Sequence, residues 1–195
     1  VSGGDVTFAQ TLTNGADLVI TTGTARFNAN QSFVTLTQSE GILRGLGTVT
    51  VTGTFSWTGG SMFDAGKTLI AASAGTISGG GNKGLDVNRV LENAGTLVAS
   101  GGVVFFNLTG AGGGAVINNL AGATLEAQGG VVFSHNVGTS SAINNAGTFR
   151  KTGGGETFLS SATVALNNTG TVEIVQGTLR LDGGGSNSGT ITSTV

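Results

Sequence analysis

The chain has 195 residues, 37 of them glycine, with no proline, cysteine or tyrosine; only 9% of its residues are charged and its formal net charge is -2. That balance leaves no basic footprint for nucleic acid or an anionic surface, and no apolar run approaches the roughly 20 residues that span a bilayer. Glycine without proline or a three-residue period excludes collagen, and 38% hydrophobic residues in alternating runs exclude simple disorder.

In chain order, the opening VSGGDVTFAQTL enters strand pattern almost at once. TNGADLVI from Thr13, LGTVTVTGTFSWTGG from Leu46 and AGTISGGG from Ala74 share Gly-Thr and glycine-pair elements without aligning into columns. Phe55 and Trp57 alternate with Thr54, Ser56 and Thr58, which assigns both aromatics to a core rather than to a sugar-stacking platform. GGGNKGLD from Gly79 misses the Gly-Gly-x-Gly-x-Asp spacing of a calcium-binding nonapeptide by one residue and occurs once, so no metal or other cofactor is assigned.

From residue 91 one phrase returns: LENAGTLVASGG, INNLAGATLEAQGG, INNAGTFRKTGGG, LNNTGTVEIVQG and SNSGTITSTV. Aligned on Gly95, Gly122, Gly147, Gly170 and Gly189, the repeats are 27, 25, 23 and 19 residues apart. Each holds about three short strands punctuated by Gly or Asn, too short for a propeller blade and suited to one solenoid coil. The expected fold is therefore all-β: a right-handed parallel β-helix of about eight coils of roughly 19–28 residues, one domain over residues 1–195, forming a rod on the order of 40 Å long.

Alternation then sorts the columns. Leu97, Leu125, Phe149, Val172 and Ile191 form an expected inward core column, and Thr96, Thr124, Thr148, Thr171 and Thr190 should face solvent. Glu126, Arg150 and Glu173 form an expected outward charge ladder of alternating sign, flanked by Val98 and Thr192. Asn93, Asn119, Asn145, Asn168 and Asn187 form a structural asparagine column at a corner. Asparagine tolerates the left-handed conformation there, and stacked amides bond along the column.

No catalytic residue is assigned. His135 is the only histidine and joins no triad or metal constellation, and it reads as a turn residue. Glu126 and Glu173 would stand about 9.6 Å apart on the strand spacing, near the upper end for an inverting glycosidase, but Arg150 falls between them. Ice binding needs two parallel threonine columns, and the second column reads Val, Glu, Arg, Glu, Thr. Neither end carries a charged or helical cap, so self-association through solenoid ends, or membership of a longer array, is expected.

GTFSWTGGSM from Gly53, then GKTLIAASAGTISGGGNK and VLENAGTL, resemble the repeat regions of large bacterial surface and autotransporter-like proteins, the filamentous-haemagglutinin-style β-solenoids. The resemblance is clearest from Leu46 to Val195. It implies an extracellular or cell-surface location and a structural or adhesive role, and it transfers no catalytic residue. The expected function is thus a non-enzymatic extracellular structural or adhesive solenoid, self-assembling end to end into a fibre or matrix, with a cell-surface or polysaccharide ligand and neither nucleic-acid binding nor membrane insertion. The alternative is a carbohydrate-binding or carbohydrate-active solenoid, with ice binding behind it.

Overall fold

A computed structural model describes residues 1–12, 15–71, 74–108, 113–160 and 163–194. No helix occurs among them: 23 strands fall into a nine-stranded and a 14-stranded sheet, and every strand pairing is parallel. The result is a β-solenoid of about eight turns.

One coil of the second half shows the plan. Val103–Phe106 lies in the nine-stranded sheet, Val116–Asn119 and Thr124–Gln128 lie in the larger one, and Val132–His135 returns to the first, beside Val103–Phe106. The larger sheet is folded into two faces. The long strand Thr48–Trp57 pairs through its first half with Lys67–Ile70 and through its second half with Ala74–Ile77. Three faces enclose the core, and three corners join them.

The first coils differ from the later ones at one corner. Gln31–Gln38 and Thr48–Trp57 run around it as continuous strands, with a register shift between Phe33 and Thr35. From Asn93 onward the chain instead stops, turns through an Asn-Gly step and starts a new strand. This is why the first half resists alignment with the second: it has the coil but not the punctuation.

The core is a set of in-register columns. Leu97, Leu125, Phe149 and Val172 pair successively and are at most 1% exposed, and the same column runs back through Gly75, Phe55 and Leu36 to Leu18. Phe55 and Trp57 are fully buried. Ile191 departs from the expected inward burial: it pairs with Val172 but is 54% exposed, because it is the last rung and no described strand lies over it. Burying the remainder of a side chain that gains about 1.5–3 kcal/mol when taken wholly out of water needs a further layer.

Candidate functional site

The asparagine corner is built by side chains rather than by backbone conformation. Asn93 Nδ2 donates to Asn119 Oδ1 at 2.8 Å, and Asn119 to Asn145, Asn145 to Asn168 and Asn168 to Asn187 follow at 2.7 Å each. Every one of these amides also donates to a carbonyl of its own turn, as Asn145 does to Gly147 O at 3.2 Å. The left-handed conformation expected of this column is not used. Among the described non-glycine residues, positive φ occurs at Asp64, Val87, Asn88 and Asn107, all at a different corner. Asparagine sits here because only a short primary amide both donates and accepts along the stack.

The glycine column needs one correction. Thr124 N bonds to Gly95 O and Thr148 N to Ala123 O, so Ala123 occupies the rung expected of Gly122. The turn after Asn119 is two residues longer than its neighbours, and Gly122 takes up the extra bend at φ +81. Where glycine does hold the column, space demands it: a Cβ on Gly147 would lie 2.3 Å from Ala123 O, and one on Gly170 would lie 2.1 Å from Gly147 O. Successive turns stack backbone on backbone.

Beside this corner the outward column runs Val98, Glu126, Arg150, Glu173, Thr192 in register. Arg150 Nε lies 3.1 Å from Glu173 Oε2, between side chains 46% and 36% exposed, and a pair so placed contributes little to stability. Glu126 turns elsewhere: its Oε1 accepts from Gln128 Nε2 at 2.7 Å and from Thr152 Oγ1 at 2.8 Å. Those two hydrogen bonds hold its carboxyl below the ordinary value, with a smaller pull from Arg150. The expected ladder of alternating sign is therefore ion-paired on one side of Arg150 only. Arg150 and Glu173 border a shallow depression of about 220 Å3 with Ile174, Val175, Thr192 and Thr194; Glu126 is not part of its wall. The geometry does not present the two glutamates to a common cleft.

His135 ends a strand rather than forming a turn, and its Nδ1 lies 3.4 Å from Ser141 Oγ. Among the described residues, no group of three or more His, Cys, Asp or Glu is placed to hold a metal ion.

A set of polar side chains inside the solenoid was not anticipated from the sequence. Lys83, Arg89, Lys151, Gln38 and Thr157 are fully buried. Lys83 Nζ donates to Gly79 O and Gly81 O at 3.1 and 2.6 Å, and Lys151 Nζ to Thr152 O and Gly153 O at 2.8 and 2.6 Å. Gln38 Nε2 donates to Gly41 O and Ser61 O, and Thr157 Oγ1 to Gly129 O. All four plug the glycine-rich corner from within, meeting carbonyls that the tight turns aim inward. Burial pushes the Lys83 and Lys151 amines below their ordinary value.

Arg89 does the same at a third corner. It donates to Gly45 O, Lys67 O and Thr68 Oγ1, and burial lowers its guanidinium to about 10 against an opposing pull from Asp64. Asp64 is itself gripped by Arg44 through two oxygens and by Arg26 at 3.1 Å, and the Arg44 hydrogen bond keeps its carboxyl below the ordinary value. Lys151 lies two residues after Phe149 on the same strand and so shares its inward face; only the turn carbonyls, which sequence does not display, make sense of a lysine there.

Outside the same asparagine corner stands a second amide row. Asn167 Nδ2 donates to Asn144 Oδ1 and Asn144 Nδ2 to Asn118 Oδ1, both at 2.9 Å. It runs in the opposite sense to the inner ladder. The signal was in the sequence as the doubled asparagine of INN, INN and LNN, since alternation sends the first of each pair outward when the second points in.

No protein-family model, curated protein or solved structure matches this chain, so its functional reading rests on the β-solenoid and the surface chemistry just described.

Proposed function

We propose that the protein is a non-enzymatic structural and adhesive rod, of the kind found in extracellular surface proteins of the filamentous-haemagglutinin style, and that its working part is the stack itself. The observation that carries this reading is the continuity of the columns. One apolar column runs in register from Leu18 to Ile191, and a continuous amide ladder ties five coils together along a neighbouring corner.

The columns end on apolar rungs. At the C-terminal edge, Leu179, Leu181, Ile174 and Ile191 line an open cleft with Leu166 and Val172; Leu181 is 38% and Ile191 54% exposed. At the other edge Val6 and Leu12 are 39% and 41% exposed. Head-to-tail stacking of two copies would lay the exposed Ile191 rung of one copy against the N-terminal edge of the next, with the strand edges left open there completing each other's ladders.

Sedimentation velocity over a range of concentrations tests the stacking. The native chain is expected to form larger species as concentration rises, and Ile191→Lys, which puts a charge on the terminal apolar rung, is expected to remain a monomer. A native chain that stays monomeric throughout, or an Ile191→Lys variant that associates equally well, would rule out association through this edge.

A further inference from the structure

The outward columns of the later coils are readable from the repeat, but those of the earlier coils are not, because no Asn-Gly step marks them. The strand pairings supply the missing register. TLTQS from Thr35 lies beside TFSWT from Thr54, that beside AGTIS from Ala74, and that beside TLVAS from Thr96, with no shift from Thr35 onward. Hydrogen bonds from Thr58 N to Gln38 O and from Ser78 N to Trp57 O carry the ladder to the last residue of each stretch. The second and fourth residues of every stretch are buried. The first, third and fifth therefore face outward, and ten of these twelve positions are Ser or Thr with no charge among them.

This patch differs from the rest of its own face. The column that reads Val98, Glu126, Arg150 and Glu173 in the later coils reads Thr37, Ser56 and Thr76 before them, parallel to the threonine column that starts at Thr35 and Thr54. Among the described residues, no side-chain hydrogen bond engages any hydroxyl of the patch, whereas Thr152, on the charged stretch, donates to Glu126 Oε1 at 2.8 Å. The free hydroxyls form a net in two directions, with steps of about 4.8 Å from coil to coil and about 6.6 Å between successive outward residues of a strand. The prism face of ordinary ice repeats its oxygens on a rectangular net of closely similar spacings.

We propose that this face of the first half of the rod binds ice. A hydroxyl carries one donor and two acceptor sites and rotates to suit its partner. Each water of an ice surface also both donates and accepts, so free hydroxyls at lattice spacing take the places of a lattice layer. A carboxylate only accepts, a guanidinium or ammonium only donates, and an ammonium also holds a strong hydration shell of its own. The site is therefore the four uncharged coils and stops where Glu126 begins the charged stretch. A single polymer strand meets one rank of such a net at a time, whereas a crystalline surface meets all of it. The inference gives the adhesive half of the function above a ligand and is independent of end-to-end stacking.

Nanolitre osmometry and partition into a slowly grown ice hemisphere test it. The native chain is expected to open a gap between the melting and freezing points and to be enriched in the ice. Ser56→Lys, which sets a strongly hydrated ammonium at the centre of the net, is expected to lose both effects while the circular dichroism spectrum stays that of the parent. Thr171→Lys, on the charged stretch of the same face, is expected to keep both. A native chain that shows no gap and is excluded from ice, a Ser56→Lys variant that keeps both effects, or a folded Thr171→Lys variant that loses them would overturn the proposal. So would a native chain that sediments with microcrystalline cellulose and does not enter ice. Ile191→Lys is expected to enter ice whatever its state of association, so the ice reading and the stacking reading fail separately.

Discussion

Asn145 and Asn144 are adjacent and identical in side chain, yet they stand on opposite sides of the coil wall. Asn145 is 1% exposed, and its amide reaches Asn168 Oδ1, Thr171 O and Gly147 O while accepting from Asn119. Asn145→Ala strands several buried polar groups at about 1–3 kcal/mol each, so a loss of at least about 2 kcal/mol is expected from urea denaturation. Asn144→Ala interrupts only a half-exposed row and should cost about 1 kcal/mol or less. Equal losses for the two variants would mean that the inner ladder contributes no more than its outer counterpart.

The buried lysines make a second prediction at this scale. Burial lowers the folded-state values of Lys83 and Lys151 from an ordinary 10.5, so the unfolded chain binds more protons than the folded one in the window just below 10.5. Stability therefore rises with pH as that window is entered. Below about 10, where Arg89 keeps its charge, the rise belongs to the lysines. Denaturation midpoints measured from neutral pH upward should climb in the native chain and climb less in a Lys83→Met, Lys151→Met double variant. That variant should also be less stable throughout, because the carbonyls of Gly79, Gly81, Thr152 and Gly153 lose their donors. A midpoint that falls with pH would contradict the buried, carbonyl-bound placement.

Among the elements, neighbouring strands are held in a single register. Thr148 pairs with Thr171 on adjacent parallel strands, about 4.8 Å apart and within the 4.4–6.8 Å range that a disulfide spans. Glu173 lies on the same outer face two positions on, which puts it about 8 Å from Thr148 and beyond that range. The chain has no native cysteine. Thr148→Cys with Thr171→Cys should therefore oxidise readily to an intrachain disulfide, and Thr148→Cys with Glu173→Cys should not; the reverse preference would shift the register of these coils. Much of this level was legible in the sequence, because Gly-Thr and Asn mark the same point of each later coil and period-two alternation does the rest. The illegible parts have physical causes. Gly122 looks like a column member, but two extra residues in its turn move Ala123 into the column. The first coils carry no Asn-Gly step because Gln31–Gln38 and Thr48–Trp57 bend without breaking. The inward lysines answer carbonyls whose direction only the folded turn defines.

For the whole molecule, columns that run in register from one edge to the other make each coil a template for the next. At the C-terminal edge the last rung, Ile191, is 54% exposed and Thr190–Ser193 pairs on one side only among the described residues, whereas at the N-terminal edge Val1 already bonds to Val19 O and Thr21 N. On the proposed stacking, the C-terminal edge gains by adding a layer, and the outer asparagine row Asn118, Asn144 and Asn167 repeats from coil to coil. The polarity of the inner ladder gives the stack a direction as well, since each amide donates towards the C-terminal edge and Asn187 is the last to accept. Negative-stain electron microscopy of the purified chain at increasing concentration tests the stack as the working part most directly. Filaments of uniform width whose length grows with concentration are the predicted result; short particles of constant length at every concentration would contradict it.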